Sequence, residues 1–374
     1  MSRYLLDARA LQDGSAMRGI GTYVRGLLSG LAALGATAEV GLLLGDGASL
    51  PDEVTRGGFA AHPVRLRATN RHLRPLLDPL LVGRALRTEP PAAYHAVEYA
   101  QPLRPHLPVV LTVHDLVPFV MPREYPWMRR ERYLAMRQFR HADAVIAVSR
   151  STASDLRRIS GVDPARITVI HEGVGPAMAI PPTRLAEARA HMRLPDRFVL
   201  AVGTFDPRKR VDLLAEVVRR LRLHHDVGLV VAGYQGNFAA AVEVSLGRAG
   251  VREVTRVLGH VGGEQLAALY QSAECLLFTS AYEGFGLPPL EAMAAGLPVA
   301  VFDNSSLAEV VGDAGVLVKD ADVAAMSDAV LRLLSDPGER ERRAAMGRRR
   351  AAGFTWERAA RETLTVYRRV SGQS

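Results

Sequence analysis

Lysine is nearly missing from this 374-residue chain. Of 47 basic residues only Lys209 and Lys319 are lysines, which leaves little choice for a cofactor-carrying amine. Cysteine occurs once. Cys275 excludes an intrachain disulfide and, inside an apolar run, reads as a small buried hydrophobe rather than a nucleophile. No His, Cys and Asp cluster has metal-ligand spacing, so neither a bound metal nor another cofactor is expected. No apolar run approaches the roughly 18 to 20 residues of a membrane span. The opening MSRYLLDARALQDG lacks the apolar core of a signal peptide. These absences predict a cytoplasmic protein, with peripheral contact at the inner membrane face as an option. Aromatics are sparse at 6% and no nucleic-acid motif is present, so the net charge of +8 is not read as nucleic-acid binding.

What is present points to two domains. The length exceeds what one core usually supports. The charge is uneven: residues 1–178 carry 22 arginines against 16 acids, and residues 179–374 carry 25 basic residues against 23 acids. The excess in the first half attracts anions. Short apolar runs alternate with helical periodicity in both halves, as in parallel sheets covered on both faces. A Gly- and Pro-rich stretch, HEGVGPAMAIPPTR, separates the halves. Residues 1–178 and 179–355 are therefore read as two doubly wound α/β domains, followed by a terminal helix over 356–374.

Four stretches carry candidate chemistry. In EGFGLPPLEAMAA, Glu283 lies in a loop and Glu291 about one turn into a helix entered at Pro288 and Pro289. The amides of Phe285, Gly286 and Leu287 fall between the two carboxylates, at a helix start that cannot satisfy them internally. Such a place suits a ligand with both hydroxyls and phosphates. Lys209, with Arg208 and Arg210 beside it, precedes another helix and offers a compact charge to a diphosphate; a solvated basic turn is the plainer alternative. Gly19 and Gly21 lie between a strand and a helix, which reads either as an anion cradle or as a tight turn. His114 ends the strand Val109–Val113, on the side where open α/β sheets bind ligands. Residues 122–139, PREYPWMRRERYLAMRQF, form a basic helix with Trp127, Tyr133 and Phe139. It reads as a packed helix with an arginine-rich solvent face, or as a patch for a membrane surface or acidic acceptor. The Arg340–Arg350 stretch reads as a solvated helix.

The Glu283 stretch, with seven residues between its glutamates, resembles the signature of retaining glycosyltransferases of the GT-B fold, family four. GIGTY, TVHDL, PRK and AYHAVEYAQPL resemble the same family. The resemblance implies two Rossmann-like domains facing across a cleft, with the terminal helix packing back on the first. It implies a nucleotide-sugar donor and a glycan, lipid-linked or small-molecule acceptor. Glu283 would orient the sugar, Glu291 the ribose, Lys209 and Arg208 the diphosphate, and His114 the sugar from the first domain. Val261 would lie near the base. Many relatives carry an arginine after the strand glycine where this chain has Thr204, with Arg208 as the substitute. The variants look most like mannosyltransferases using GDP-mannose, with UDP-glucose or UDP-N-acetylglucosamine as alternatives. A GT-B epimerase, a phosphorylase and an inactive paralogue compete with this reading.

Overall fold

The computed structural model describes residues 2–45, 52–64, 74–88, 90–99, 102, 106–233 and 236–372. Part of the AYHAVEYAQPL stretch, Ala100, Gln101 and Leu103, lies outside the described residues. The chain divides into two compact units. Unit 1 is residues 1–173 with 354–374, and unit 2 is residues 174–353. The expected boundaries after residues 178 and 355 stand beside crossings at 173 and 353.

Unit 1 opens with β1 (Tyr4–Asp7), α1 (Gly19–Ala33), β2 (Val40–Gly45), α2 (Asp52–Gly57), β3 (Ala61–Val64) and α3 (Arg74–Thr88). It continues with β4 (Ala93–Ala96), β5 (Val109–Val113), α4 (Val117–Val120), α5 (Pro126–Gln138), β6 (Ala144–Ala147), α6 (Arg150–Ile159) and β7 (Ile167–Val169). Unit 2 runs α7 (Pro182–Met192), β8 (Phe198–Val202), α8 (Val211–Leu221), β9 (Gly228–Ala232), α9 (Ala239–Arg248), β10 (Thr255–Gly259) and α10 (Gly263–Ser272). Then follow β11 (Cys275–Phe278), α11 (Leu287–Ala294), β12 (Val299–Asp303), α12 (Leu307–Val311), β13 (Val316–Lys319), α13 (Val323–Ser335) and α14 (Pro337–Ala351). The last helix, α15 (Trp356–Val370), belongs to unit 1.

Among the described residues each unit holds one parallel sheet. The orders are β3-β2-β1-β4-β5-β6-β7 and β10-β9-β8-β11-β12-β13. Strands such as VVLTV and FVLAV are buried at every position, as sheets covered by helices on both faces require. Strand order reverses between β1 and β4 in unit 1 and between β8 and β11 in unit 2. Crevices for ligands open at the carboxyl ends of such strand pairs.

Helix α15 enters unit 1 through two glycines of α1. A Cβ on Gly26 would stand 2.0 Å from the Trp356 ring, and one on Gly30 2.2 Å from the Trp356 carbonyl. A methyl group at either site would push the helices apart, because packed interiors leave no slack.

Two expectations need correction. Gly19 and Gly21 are not a loop before the helix; they are residues of its first turn. Gly19 is exposed, whereas Gly21 is buried, and a Cβ there would meet the Ala16 backbone at 2.4 Å. Packing, not a left-handed turn, requires glycine at 21. Nor is α14 simply solvated. Arg340 donates to the Leu333 carbonyl, Arg343 to those of Asp313 and Gly315, and Arg350 to those of Val310 and Glu309. These guanidinium groups satisfy carbonyls that helix and loop ends leave open.

Helix α5 packs through one stripe, with Met136 buried and Met128, Arg132 and Ala135 half-buried. Its outer face keeps Trp127 63%, Leu134 64% and Tyr133 43% exposed, among exposed Arg129, Arg130 and Arg137.

Candidate functional site

The strongest cluster sits at the reversal point of unit 2. Lys209 and Arg208 follow β8; Glu283 follows its neighbour β11. Lys209 Nζ donates to Glu283 Oε1 at 2.6 Å, and Arg208 Nη1 donates to Oε2 at 2.5 Å. One carboxylate thus bridges two cations. The Lys209 ammonium also lies 4.3 Å from the centroid of the Phe278 ring. Arg208, the candidate substitute where Thr204 stands, therefore does reach the centre of the cluster.

The two loops are stitched together by backbone. The Ala281 amide donates to the Arg208 carbonyl at 2.7 Å, and Thr279 Oγ1 donates to that of Lys209 at 2.8 Å. The Glu283 amide donates to Ser305 Oγ. The fully buried Ser306 hydroxyl lies between the carbonyls of Glu283 (3.0 Å) and Phe285 (2.6 Å), donating to one at a time. Nothing in the spacing of residues 304–306 announces this role; only the fold brings β12's following turn under the Glu283 loop.

Burial opposes the charges of Glu283 and Lys209, and their pairing opposes burial. Burial pushes the Glu283 carboxyl up, but Arg208 and then Lys209 outweigh it and hold the pKa at about 2. Burial lowers the Lys209 pKa, with Glu283 acting against it. The carboxylate is thus ionised at neutral pH, and the ammonium's charge depends on a partner of opposite sign.

Gly286 caps α11 at φ 116°, a conformation that favours glycine. A Cβ there would also press Leu307 at 3.1 Å. Pro288 and Pro289 fall in the first turn, where missing amides cost least. Glu291 lies one turn on, and Tyr270 Oη of α10 donates to its Oε2 at 2.9 Å. Burial, then the Glu291 charge, keeps the Tyr270 phenol well above its ordinary pKa and hence a donor. Periodicity marks Tyr270 only as a core residue of a helix. Tyr270→Phe removes the bond that orients Glu291. Titration calorimetry should show a ligand held by Glu291 binding about tenfold more weakly, the worth of one charge-assisted hydrogen bond. Val261 lies half-buried on the loop after edge strand β10.

Unit 1 carries a separate set. At its reversal point Arg9 grips Asp7 through two bonds of 2.8 and 2.6 Å, and Tyr94 Oη donates to Asp7 at 2.7 Å. Ser15 Oγ donates to Glu98 beyond β4 at 3.1 Å. His114 follows β5, and its Nδ1 lies 3.2 Å from Glu172 Oε1. His95 of β4 is no ligand candidate. It is buried, joins Tyr367 and Thr112 at 2.6 and 2.7 Å, and burial holds its pKa at about 3. Cys275 is fully buried, and burial pushes its thiol up to about 12, as an inert thiol requires. Among the described residues no group of three or more His, Cys, Asp or Glu is placed to hold a metal ion.

A carboxylate bridging two cations at a reversal point, beside a glycine-capped helix start, offers the groups that an anionic, hydroxyl-rich ligand would use. The comparisons give it a family. The model for Glycosyltransferase Family 4 matches residues 17–177, and that for Glycosyl transferases group 1 matches residues 187–350. The chain is 32% identical over 306 residues to O-antigen chain mannosyltransferase B of Escherichia coli, covering 78% of each. It is 34% identical over 282 residues to the MMP alpha-(1->4)-mannosyltransferase of Mycolicibacterium hassiacum, covering 70% of this chain and 66% of that one. The structure of Anabaena HepE in complex with UDP and glucose superposes with a TM-score of 0.77 at 16% identity, covering 98% of this chain and 99% of that one. The chain belongs to the family-four glycosyltransferases, and its two Rossmann-like sheets are those of the GT-B fold.

Proposed function

We propose that this glycosyltransferase moves a hexose, mannose from GDP-mannose first of all, to a hydroxyl of a glycan, glycolipid or small natural product, with retention and without a metal. The observation that carries the reading is the Lys209–Arg208–Glu283 cluster beside the capped start of α11. Two cations and helix-start amides supply what a leaving diphosphate needs: preorganised positive charge in a protected place. Glu283 orients the sugar hydroxyls and offsets positive charge on the ring as the glycosidic bond to phosphate breaks. The acceptor oxygen then bonds to the same face of the anomeric carbon, and its proton passes to the departing diphosphate. Glu291 takes the ribose hydroxyls, the amides of Phe285, Gly286 and Leu287 take phosphate or sugar oxygens, and His114 takes a sugar hydroxyl. The mannosyltransferase relatives favour mannose as the sugar, with UDP-glucose and UDP-N-acetylglucosamine as the alternative donors.

The test is a panel of nucleotide sugars with chelator present and released nucleotide measured. Release from GDP-mannose, with an α-linked product by NMR, supports the reading. Release only from a UDP-sugar moves the donor. An inverted product overturns the retaining mechanism, and loss of turnover on chelation overturns metal independence. An epimerised sugar points to an epimerase, and no release from any donor to an inactive paralogue.

The outer face of α5 favours a lipid-linked acceptor. Trp127 and Leu134 stand in water among arginines, an arrangement that fits the interface of an anionic bilayer. Sedimentation with phosphatidylglycerol vesicles should pull the protein down, and phosphatidylcholine vesicles should not. The Trp127→Ala, Leu134→Ala double variant should weaken that binding at least about tenfold, given about 1.5 kcal/mol or more per large apolar side chain. Equal binding by the double variant would remove α5 from the contact. Among the described residues no helix is long and apolar enough to cross a membrane.

A further inference from the structure

We infer that Glu172 is a positioning residue: it holds the His114 imidazole with Nδ1 protonated and turns the bare Nε2 toward a hydroxyl of the sugar. The inference rests on the transferase reading for the identity of that hydroxyl, but the hold on the ring is a property of unit 1 alone.

Glu172 is only 4% exposed, and among the described residues its carboxylate hydrogen-bonds His114 Nδ1 at 3.2 Å. A carboxylate accepts and does not donate, so the nitrogen facing it must carry the proton. The opposite nitrogen, His114 Nε2, is buried and has no hydrogen-bond partner among the described residues. A buried ring nitrogen left unmatched is costly, and such an atom in a folded protein asks for an explanation. A hydroxyl that arrives with the substrate supplies one.

The surroundings fix both groups. His114 ends β5 and Glu172 follows β7, so the pair spans the carboxyl end of β6 between them. Tyr23 of α1 meets the His114 ring edge-on at 4.7 Å, and its own hydroxyl is tied to Thr112 at 3.0 Å. On the other side, Gly173 leaves room for α15: a Cβ there would stand 2.3 Å from the Trp356 amide nitrogen. Trp356 in turn meets Tyr23 edge-on at 6.0 Å. The Tyr23 ring thus flanks the imidazole, and the close approach of Trp356 to Gly173 holds the backbone that carries Glu172. The family resemblance marks His114 alone; HEG gives no spacing signal, because the two residues are 58 positions apart.

The experiment is ¹⁵N–¹H NMR of histidine-labelled protein, with His114→Gln to assign the signal. Wild type should show His114 with Nδ1 protonated at neutral pH. In Glu172→Ala the ring should revert toward the Nε2-protonated form that free histidine prefers. Glu172→Gln keeps the volume and serves where the alanine variant unfolds; loss of the charged acceptor should still displace the Nδ1 proton signal. Turnover supplies the second readout. Glu172→Ala should lower kcat about tenfold, the worth of one substrate hydrogen bond, and should cost nothing further in a His114→Ala background. An unchanged tautomer in both Glu172 variants overturns the inference. So does a full additional loss in the His114→Ala background, which would mark Glu172 as merely structural. Should wild type transfer no sugar at all, the transferase reading fails, and the tautomer still decides whether Glu172 sets the ring.

Discussion

Lys209→Met should lower sugar transfer about a thousandfold and leave the protein folded. The ammonium is the compact charge nearest the site proposed for the diphosphate, and losing one preorganised group at a developing negative charge costs about 10² to 10³ in rate. The fold tolerates the change because Glu283 keeps Arg208 as its partner at 2.5 Å. Lys209→Arg should not rescue turnover. Lysine is 6% exposed, wedged between the Phe278 ring and Gly203, and a planar fork cannot occupy the place of a point charge. Kinetics and GDP titration calorimetry check this together: GDP affinity should fall with kcat. Near-normal kcat in Lys209→Met would remove the lysine from the chemistry.

Glu283→Gln should cost both activity and stability, for separable reasons. Turnover should fall at least about a hundredfold, because the neutral amide no longer offsets charge on the ring. Stability at pH 7 should fall by about 3 kcal/mol, since breaking a buried ion pair from one side leaves its cation uncompensated. Acid provides the sign check. The native carboxyl titrates at about 2, below its ordinary 4.5, so its contribution is fully present above about pH 4.5. It is lost as pH falls toward 2, and the gap between wild type and Glu283→Gln should close over that window in urea melts. Saturating GDP should restore part of the variant's stability at neutral pH, because a diphosphate supplies the missing negative charge.

The sequence made the β-α alternation legible because parallel strands buried on both faces are continuous apolar runs. Val109–Val113, Phe198–Val202 and Cys275–Phe278 match their strands residue for residue. Boundaries blurred where polarity does not change at the end of an element, as at β12, which runs on to Asp303. Helix α7 was not separately legible, since it lies in a Pro-bearing stretch that reads as linker. The site was half legible. Glu283, Glu291 and Lys209 belong to local strings whose spacing carries meaning. Ser306, Tyr270 and Glu172 act through partners 21 to 58 positions away, and only the sheet topology brings those together. The place of Gly21 in the first turn of its helix, packed on Ala16, is not legible because close packing and anion binding select the same residue. The arginines of α14 looked solvated because a helix-periodic charge pattern does not show which carbonyls lie across from it.

A crystal of the protein soaked with GDP tests the central claim most directly. The account predicts phosphate oxygens within hydrogen-bonding distance of Lys209 Nζ and the amides at the start of α11, with the ribose on Glu291. A diphosphate bound elsewhere, with Lys209 still paired only to Glu283, would contradict it.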